Sequence, residues 1–175
     1  MSAATRIIAA QGLGAATAAI AKEAGVSNGS LFTYFDTKAD LLNQLYLELK
    51  TDMGAAALSG LPADGDVRGQ MLHMWSQWLR WATAYPEKRR TLAQLEVSDE
   101  ITPPIHQAAS QAMTGIARLF ERSREDGPMR DAPLAFMVAL ANAVAEATID
   151  FIISDPDHAD AHGKAGFDAL WRMIA

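Results

Sequence analysis

The 175-residue chain contains no cysteine, which excludes disulfide staples, zinc–thiolate centres and thiol nucleophiles together. Such a chain suits a reducing compartment, and the expected setting is the cytoplasm. Positive charge is also scarce. Fifteen Lys and Arg stand against 21 Asp and Glu, a formal net charge of −6, so a nucleic-acid partner must be argued from a local motif and not from bulk charge. No basic-then-apolar leader opens the chain, so no export signal is expected. The most apolar stretch, Ala132 to Ile153, is interrupted by Asn142, Glu146 and Asp150. Two carboxylates there argue against a membrane span. Internal repeats, low-complexity tracts and sustained heptads are absent. Ser–His–Asp, phosphate-loop and paired-carboxylate arrangements lack a credible instance too, so neither an enzyme nor a cofactor is expected.

What remains is a chain that is 50% hydrophobic and 21% charged, enough apolar side chain to bury a core. Ala, Leu, Met, Gln and Glu outweigh the β-branched residues, which favours helices over strands. Pro and Gly divide the sequence into helical patterns: Thr5 to Gln11, Thr17 to Ala24, a third from the N-cap Ser27 to Tyr34, and a fourth from Thr37 to Met53. Asp40, three residues after Thr37, completes a pattern like a capping box. Leu41, Leu42, Leu45, Leu49 and Met53 give this fourth helix one apolar stripe. After the Gly-, Pro- and Asp-rich loop Ser59 to Asp66, further helices are expected over Val67–Tyr85, Glu87–Val97, Pro103–Glu125, Pro133–Ile153 and Ala161–Ile174. The expected fold is all-α: an N-terminal three-helix helix-turn-helix domain with its connecting fourth helix (residues 1–53), then a helical bundle (54–175).

The stretch Thr17 to Leu42 carries the most information. Two short helices joined at Gly25 have the helix-turn-helix form. Ile20, Ala21, Ala24, Val26 and Leu31 supply apolar contacts, leaving the outer face of Asn28 to Tyr34 for a major groove about 12 Å wide. The run Ile20-Ala21, Ala24-Gly25-Val26-Ser27, Gly29-Ser-Leu31-Phe32-Thr-Tyr34-Phe35, Lys38 and Leu41-Leu42 closely resembles the N-terminal domain of TetR-family transcriptional regulators. Phe32 stands where that family usually has Tyr. The resemblance implies a homodimeric, ligand-responsive regulator acting on a pseudo-palindromic double-stranded operator, with a small-molecule effector bound among the middle helices. A twofold dimer would present its recognition helices about 34 Å apart.

Carried over by position, Asn28, Ser30 and Thr33 would face base edges or nearby phosphates. Tyr34, Lys38, Ser27 and Thr17 would contact the backbone. Asn28 is the natural base reader, because its amide can pair with adenine in both directions. Ala18 and Ala19 stand where relatives often place polar or basic side chains, and only Met1 to Gln11 precedes the first Gly, so the family's basic arm is absent here or was removed. With Arg6, Lys22 and Lys38 against Glu23 and Asp36, weak DNA binding is expected. These features also sustain a rival reading, a helical carrier of lipid or another small apolar molecule that has lost DNA binding.

Beyond the motif, Met71, Met74, Trp75 and Trp78 suit an adaptable effector pocket, with His106, Asn142 and Glu146 as candidate polar contacts. Ordinary core packing explains the Met and Trp residues equally, and a solvated stripe explains Asn142, Glu146 and Asp150. Phe151, Phe167, Leu170, Trp171 and Ile174 would leave an apolar surface on a monomer and are the expected dimer interface. His158 and His162 lie near Asp155, Asp157 and Asp160, but the spacing lacks a metalloprotease glutamate and no metal is expected.

Overall fold

The computed structural model describes residues 1–175. Its helices, in chain order, are α1 (Ser2–Gln11), α2 (Thr17–Glu23), α3 (Asn28–Tyr34), α4 (Lys38–Leu58), α5 (Val67–Ala84), α6 (Pro86–Glu96), α7 (Pro103–Ala112), α8 (Thr114–Ser123), α9 (Leu134–Ser154) and α10 (Ala159–Ile174). A short 3-10 turn, Pro156–His158, links the last two, and there are no strands. The helices form two compact units: Met1–Asp52 with Tyr85–Ala112, and Met53–Ala84 with Met113–Ala175.

The first unit is larger than the expected 1–53, because α6 and α7 join it. The reason is non-local hydrogen bonding. The fully buried Thr91 of α6 donates its hydroxyl to the Thr5 carbonyl of α1 at 2.9 Å. Gln94 donates to the Ile8 carbonyl at 3.3 Å. Ile8, Ile20, Leu31, Leu41, Leu42, Leu45, Leu49, Leu92 and Leu95 fill the core of this unit. Ala24 and Val26, expected among these contacts, are exposed.

Asn43, inside the Leu stripe of α4, is the main polar element of that core. Its amide N–H groups reach the Ala39 and Glu100 carbonyls at 2.7 Å each. Its carbonyl accepts from the Thr102 backbone N–H at 2.9 Å and the Thr102 hydroxyl at 3.1 Å. Two ion pairs, Lys50–Glu96 and Lys88–Asp52, each 2.8 Å, further tie α4 to α6. The start of α4 is capped as its sequence predicts: Thr37 Oγ1 accepts from the Asp40 N–H at 3.0 Å. The Asp40 carboxylate reaches back to the Asp36 N–H at 3.3 Å.

Tyr46 lies buried on α4, and its hydroxyl pKa is pushed up to about 12, first by burial and then by the Glu96 charge. An acid whose folded pKa exceeds the unfolded value of about 10 contributes stability below pH 10 that fades as pH rises towards 12. Alkaline unfolding followed by circular dichroism should therefore show a loss across that window that is smaller in Tyr46→Phe.

The second unit is built from the end of α4 with α5, α8, α9 and α10. Met71, Met74 and Trp75 are fully buried in its core, and the Trp75 indole donates to the Gly163 carbonyl at 3.0 Å. Phe167, Leu170 and Ile174 are likewise buried. This corrects the expectation that they form a surface on the monomer. Periodicity identifies an apolar face of α10, but α5 and α9 already cover it. A β-carbon at Gly166 would collide with Thr148 and approach Trp75 Cζ2 to 3.0 Å, so a residue without one lets α10 close onto α9 and α5. The long helix expected from Pro103 to Glu125 is two helices, broken at Met113, whose φ of −92° and ψ of 4° leave the α region. Helix α9 is long and apolar enough to cross a membrane, with mean hydropathy 1.7. It packs here against α5, α8 and α10, and Asn142, Glu146 and Asp150 are exposed along it.

Candidate nucleic-acid interface

Local chemistry fixes the angle between α2 and α3. After Ala24 the chain turns through Gly25 at φ 72°, a left-handed conformation that favours glycine. The Val26 N–H bonds the Ala21 carbonyl at 3.0 Å and the Gly25 N–H bonds the Lys22 carbonyl at 3.1 Å. This pair of bonds is the Schellman closure of α2. Two residues later Ser27 takes an extended conformation, and its Oγ accepts from the Ser30 N–H at 3.0 Å, capping α3. Ile20, Ala21 and Leu31 form the buried seam.

The opposite side of α3 is open. Asn28, Gly29, Ser30, Phe32, Thr33 and Tyr34 are all exposed, Tyr34 at 76%. The polar side chains are partly organised from within: the Ser30 hydroxyl lies 2.8 Å from Ser27 Oγ, and Thr33 donates to the Gly29 carbonyl at 3.4 Å. Thr17 is half-buried as the first residue of α2. The α3 residues singled out in the sequence thus share one short helix, with Ser27 at its entry. Lys38 differs from a simple surface cation. It is half-buried, and its ammonium donates to the Leu13 carbonyl at 2.6 Å, so it also holds the loop between α1 and α2. Arg6 is paired with Glu23 at 2.7 Å, which reduces the positive charge available to a ligand of this face.

The expected effector residues are distributed over both units. Met71, Met74 and Trp75 pack the second unit's core, and Trp78 meets Trp75 edge-on at 5.9 Å. Asn142 and Glu146 are exposed on α9. His106 belongs to the first unit, where it contacts the Tyr46 ring edge-on at 5.3 Å. Near the end of α9, His158 Nδ1 and His162 Nε2 both bond the Asp155 carboxylate at 2.9 Å. Those two hydrogen bonds hold its pKa below the usual carboxylate range.

A groove of which sequence reading named only Phe151 as an interface residue lies on the outer side of α9 and α10. Ala143, Val144, Ala147, Thr148, Phe151, His162 and Ala165 line an open groove of about 570 Å³. Phe151 is 63% exposed, and Phe136 and Ile153 of the same helix are more than half exposed. The signal was present in the sequence as alanines four apart, Ala143 and Ala147. It was hidden because small apolar residues read equally well as core.

Residues 1–45 match the sequence pattern of bacterial regulatory proteins, tetR family. Among solved structures, the chain is similar to a proposed tetR family transcription regulator from Shewanella sp. PV-4. That match has 27% identity and a TM-score of 0.84, covering 97% of this chain and 93% of that one. A TetR family transcription regulator from Marinobacter aquaeolei VT8 matches at 20% identity and a TM-score of 0.85, over 97% and 90% of the two chains. The transcriptional regulator FadR from Bacillus subtilis, solved with stearoyl-CoA, shares the fold at 15% identity and a TM-score of 0.73, over 99% and 97%. The N-terminal 45 residues thus carry the tetR family pattern, and the fold of nearly the whole chain is shared with solved tetR family transcription regulators.

Proposed function

We propose that the protein is a homodimeric, effector-responsive repressor that binds a pseudo-palindromic operator through α3. The carrying observation is the exposed face of α3, set opposite the buried Leu31 on a helix whose angle is fixed by the Gly25 turn and the Ser27 cap. Asn28, Ser30 and Thr33 address base edges, while Thr17, Ser27, Tyr34 and Lys38 address phosphates. The dimer forms on the outer face of α9 and α10, around Ala143, Ala147 and Phe151; Trp171, also expected there, stacks on Phe167 beside Arg68. The buried Phe167, Leu170 and Ile174 support this face from within. A small, largely apolar effector enters the second unit by displacing the adaptable Met71, Met74 and Trp78 side chains against Trp75. Such a ligand changes operator affinity only through its different affinities for the two arrangements.

Selection from random duplexes at low and moderate salt tests this reading. The expected product is a two-half-site operator. With Arg6 neutralised by Glu23, Lys22 and Lys38 of each protomer are the main cations near the interface, so log affinity should fall with log salt at a slope of about −4 or shallower. Tyr34→Phe combined with Lys38→Gln should weaken all sequences alike and reduce that slope by about 2. The glutamine retains an N–H donor for Leu13. Stearoyl-CoA is the first effector probe, chosen from the Bacillus subtilis FadR complex, and release of the selected operator is its readout. No enriched duplex at either salt would overturn the repressor reading.

A further inference from the structure

Glycine 29 has no explanation within the chain. It occupies the second position of α3 without a positive φ. A β-carbon there would meet only Ser27 Oγ, at 3.8 Å, an ordinary contact. Glycine inside a helix is destabilising relative to alanine, so the fold alone would favour a side chain at this position. At about 100° per residue, Gly29 and Thr33 fall opposite the buried Leu31, with Phe32 and Ser30 to either side. The missing side chain therefore leaves clearance on the outermost line of the helix, one turn from the position of Phe32. Phe32 is 40% exposed and has no hydroxyl with which to contact phosphate or water.

Resting on the operator-binding reading above, we infer that Phe32 is a specificity-determining residue that packs against the 5-methyl group of a thymine, brought into reach by the clearance at Gly29. The thymine methyl is the one apolar group that a base pair displays in the major groove, and an aromatic edge is a suitable partner for it. Glycine is the residue that permits backbone to approach a ligand closely. The two residues thus act together, one as the apolar reader and the other as the space that lets it reach the base.

Deoxyuridine lacks only the thymine methyl, so it tests the contact without altering the protein. In the selected operator, each thymine is replaced singly and then in symmetry-related pairs. One position per half-site should lose affinity about fourfold, the worth of one buried methyl, and about fifteenfold when both half-sites are changed. Phe32→Ala should bind thymine and deoxyuridine duplexes equally. Gly29→Ala should raise the melting temperature by about 2 °C while weakening operator binding at least tenfold, a combination that a structural glycine would not give. If every thymine tolerates replacement, or Phe32→Ala keeps the same deoxyuridine penalty, the inference is overturned and the repressor reading stands. If selection yields no operator, both fall.

Discussion

Replacing Asn43 by alanine should destabilise the protein by about 3 kcal/mol, since it strands hydrogen-bonding groups of Glu100 and Thr102 in a part-buried setting. For a chain of this size that corresponds to a fall in melting temperature of about 6–12 °C. The asparagine is 6% exposed and uses both faces of its amide. If only the filled volume mattered, Asn43→Leu would restore most of the loss. If the polar network matters, leucine stays nearly as unstable as alanine, because the Thr102 N–H and the Glu100 carbonyl remain without this partner. Asn43→Asp discriminates further. It keeps an acceptor for Thr102 but sets a carboxylate against the Glu100 and Ala39 carbonyls, so it should be worse than leucine at neutral pH. Hydrogen exchange supplies a local readout. Amides between residues 97 and 105 should exchange faster in all three variants, because Asn43 anchors that segment to α4. Unchanged exchange there would contradict the anchoring role.

That network marks the limit of what the sequence made legible. The α2–α3 unit could be read because its determinants are local: Gly25 for the left-handed turn, Ser27 for the cap, and Leu31 as the buried member of an otherwise exposed helix. The capped start of α4 was local in the same way, through Thr37 and Asp40. Asn43 was not, since one polar letter inside a Leu stripe gives no hint of a partner 59 residues away. The membership of α6 in the first unit was equally hidden, because it depends on Thr91 finding the Thr5 carbonyl. Phe167, Leu170 and Ile174 were assigned to a surface because helical periodicity shows which face is apolar and not what covers it. Trp75 shows the same ambiguity in reverse: its bulk suggested a pocket wall, whereas its indole N–H is already satisfied by Gly163 within a packed core.

The arrangement of α9 and α10 leads to the largest functional effect expected of a single substitution. Ala147→Arg should convert the protein to a monomer and reduce operator affinity by about 10²–10⁴-fold, the usual worth of making a second binding event intramolecular. Ala147 is exposed and lines the groove between Ala143 and Phe151, so an arginine there can extend into water without disturbing the fold of one protomer. On the twofold interface proposed above every substitution occurs twice, and two guanidinium groups would be brought together among small apolar side chains. Desolvating both, without a partner for either, costs more than the contact returns. The expected record is an unchanged circular dichroism spectrum, a halved mass by light scattering, and binding to an isolated half-site equal to that of the original protein. Retention of both dimer mass and operator affinity would place the interface elsewhere. A monomer that still bound the full operator tightly would separate dimerisation from DNA recognition, because a lone α3 would then supply affinity that the two-half-site geometry assigns to a pair.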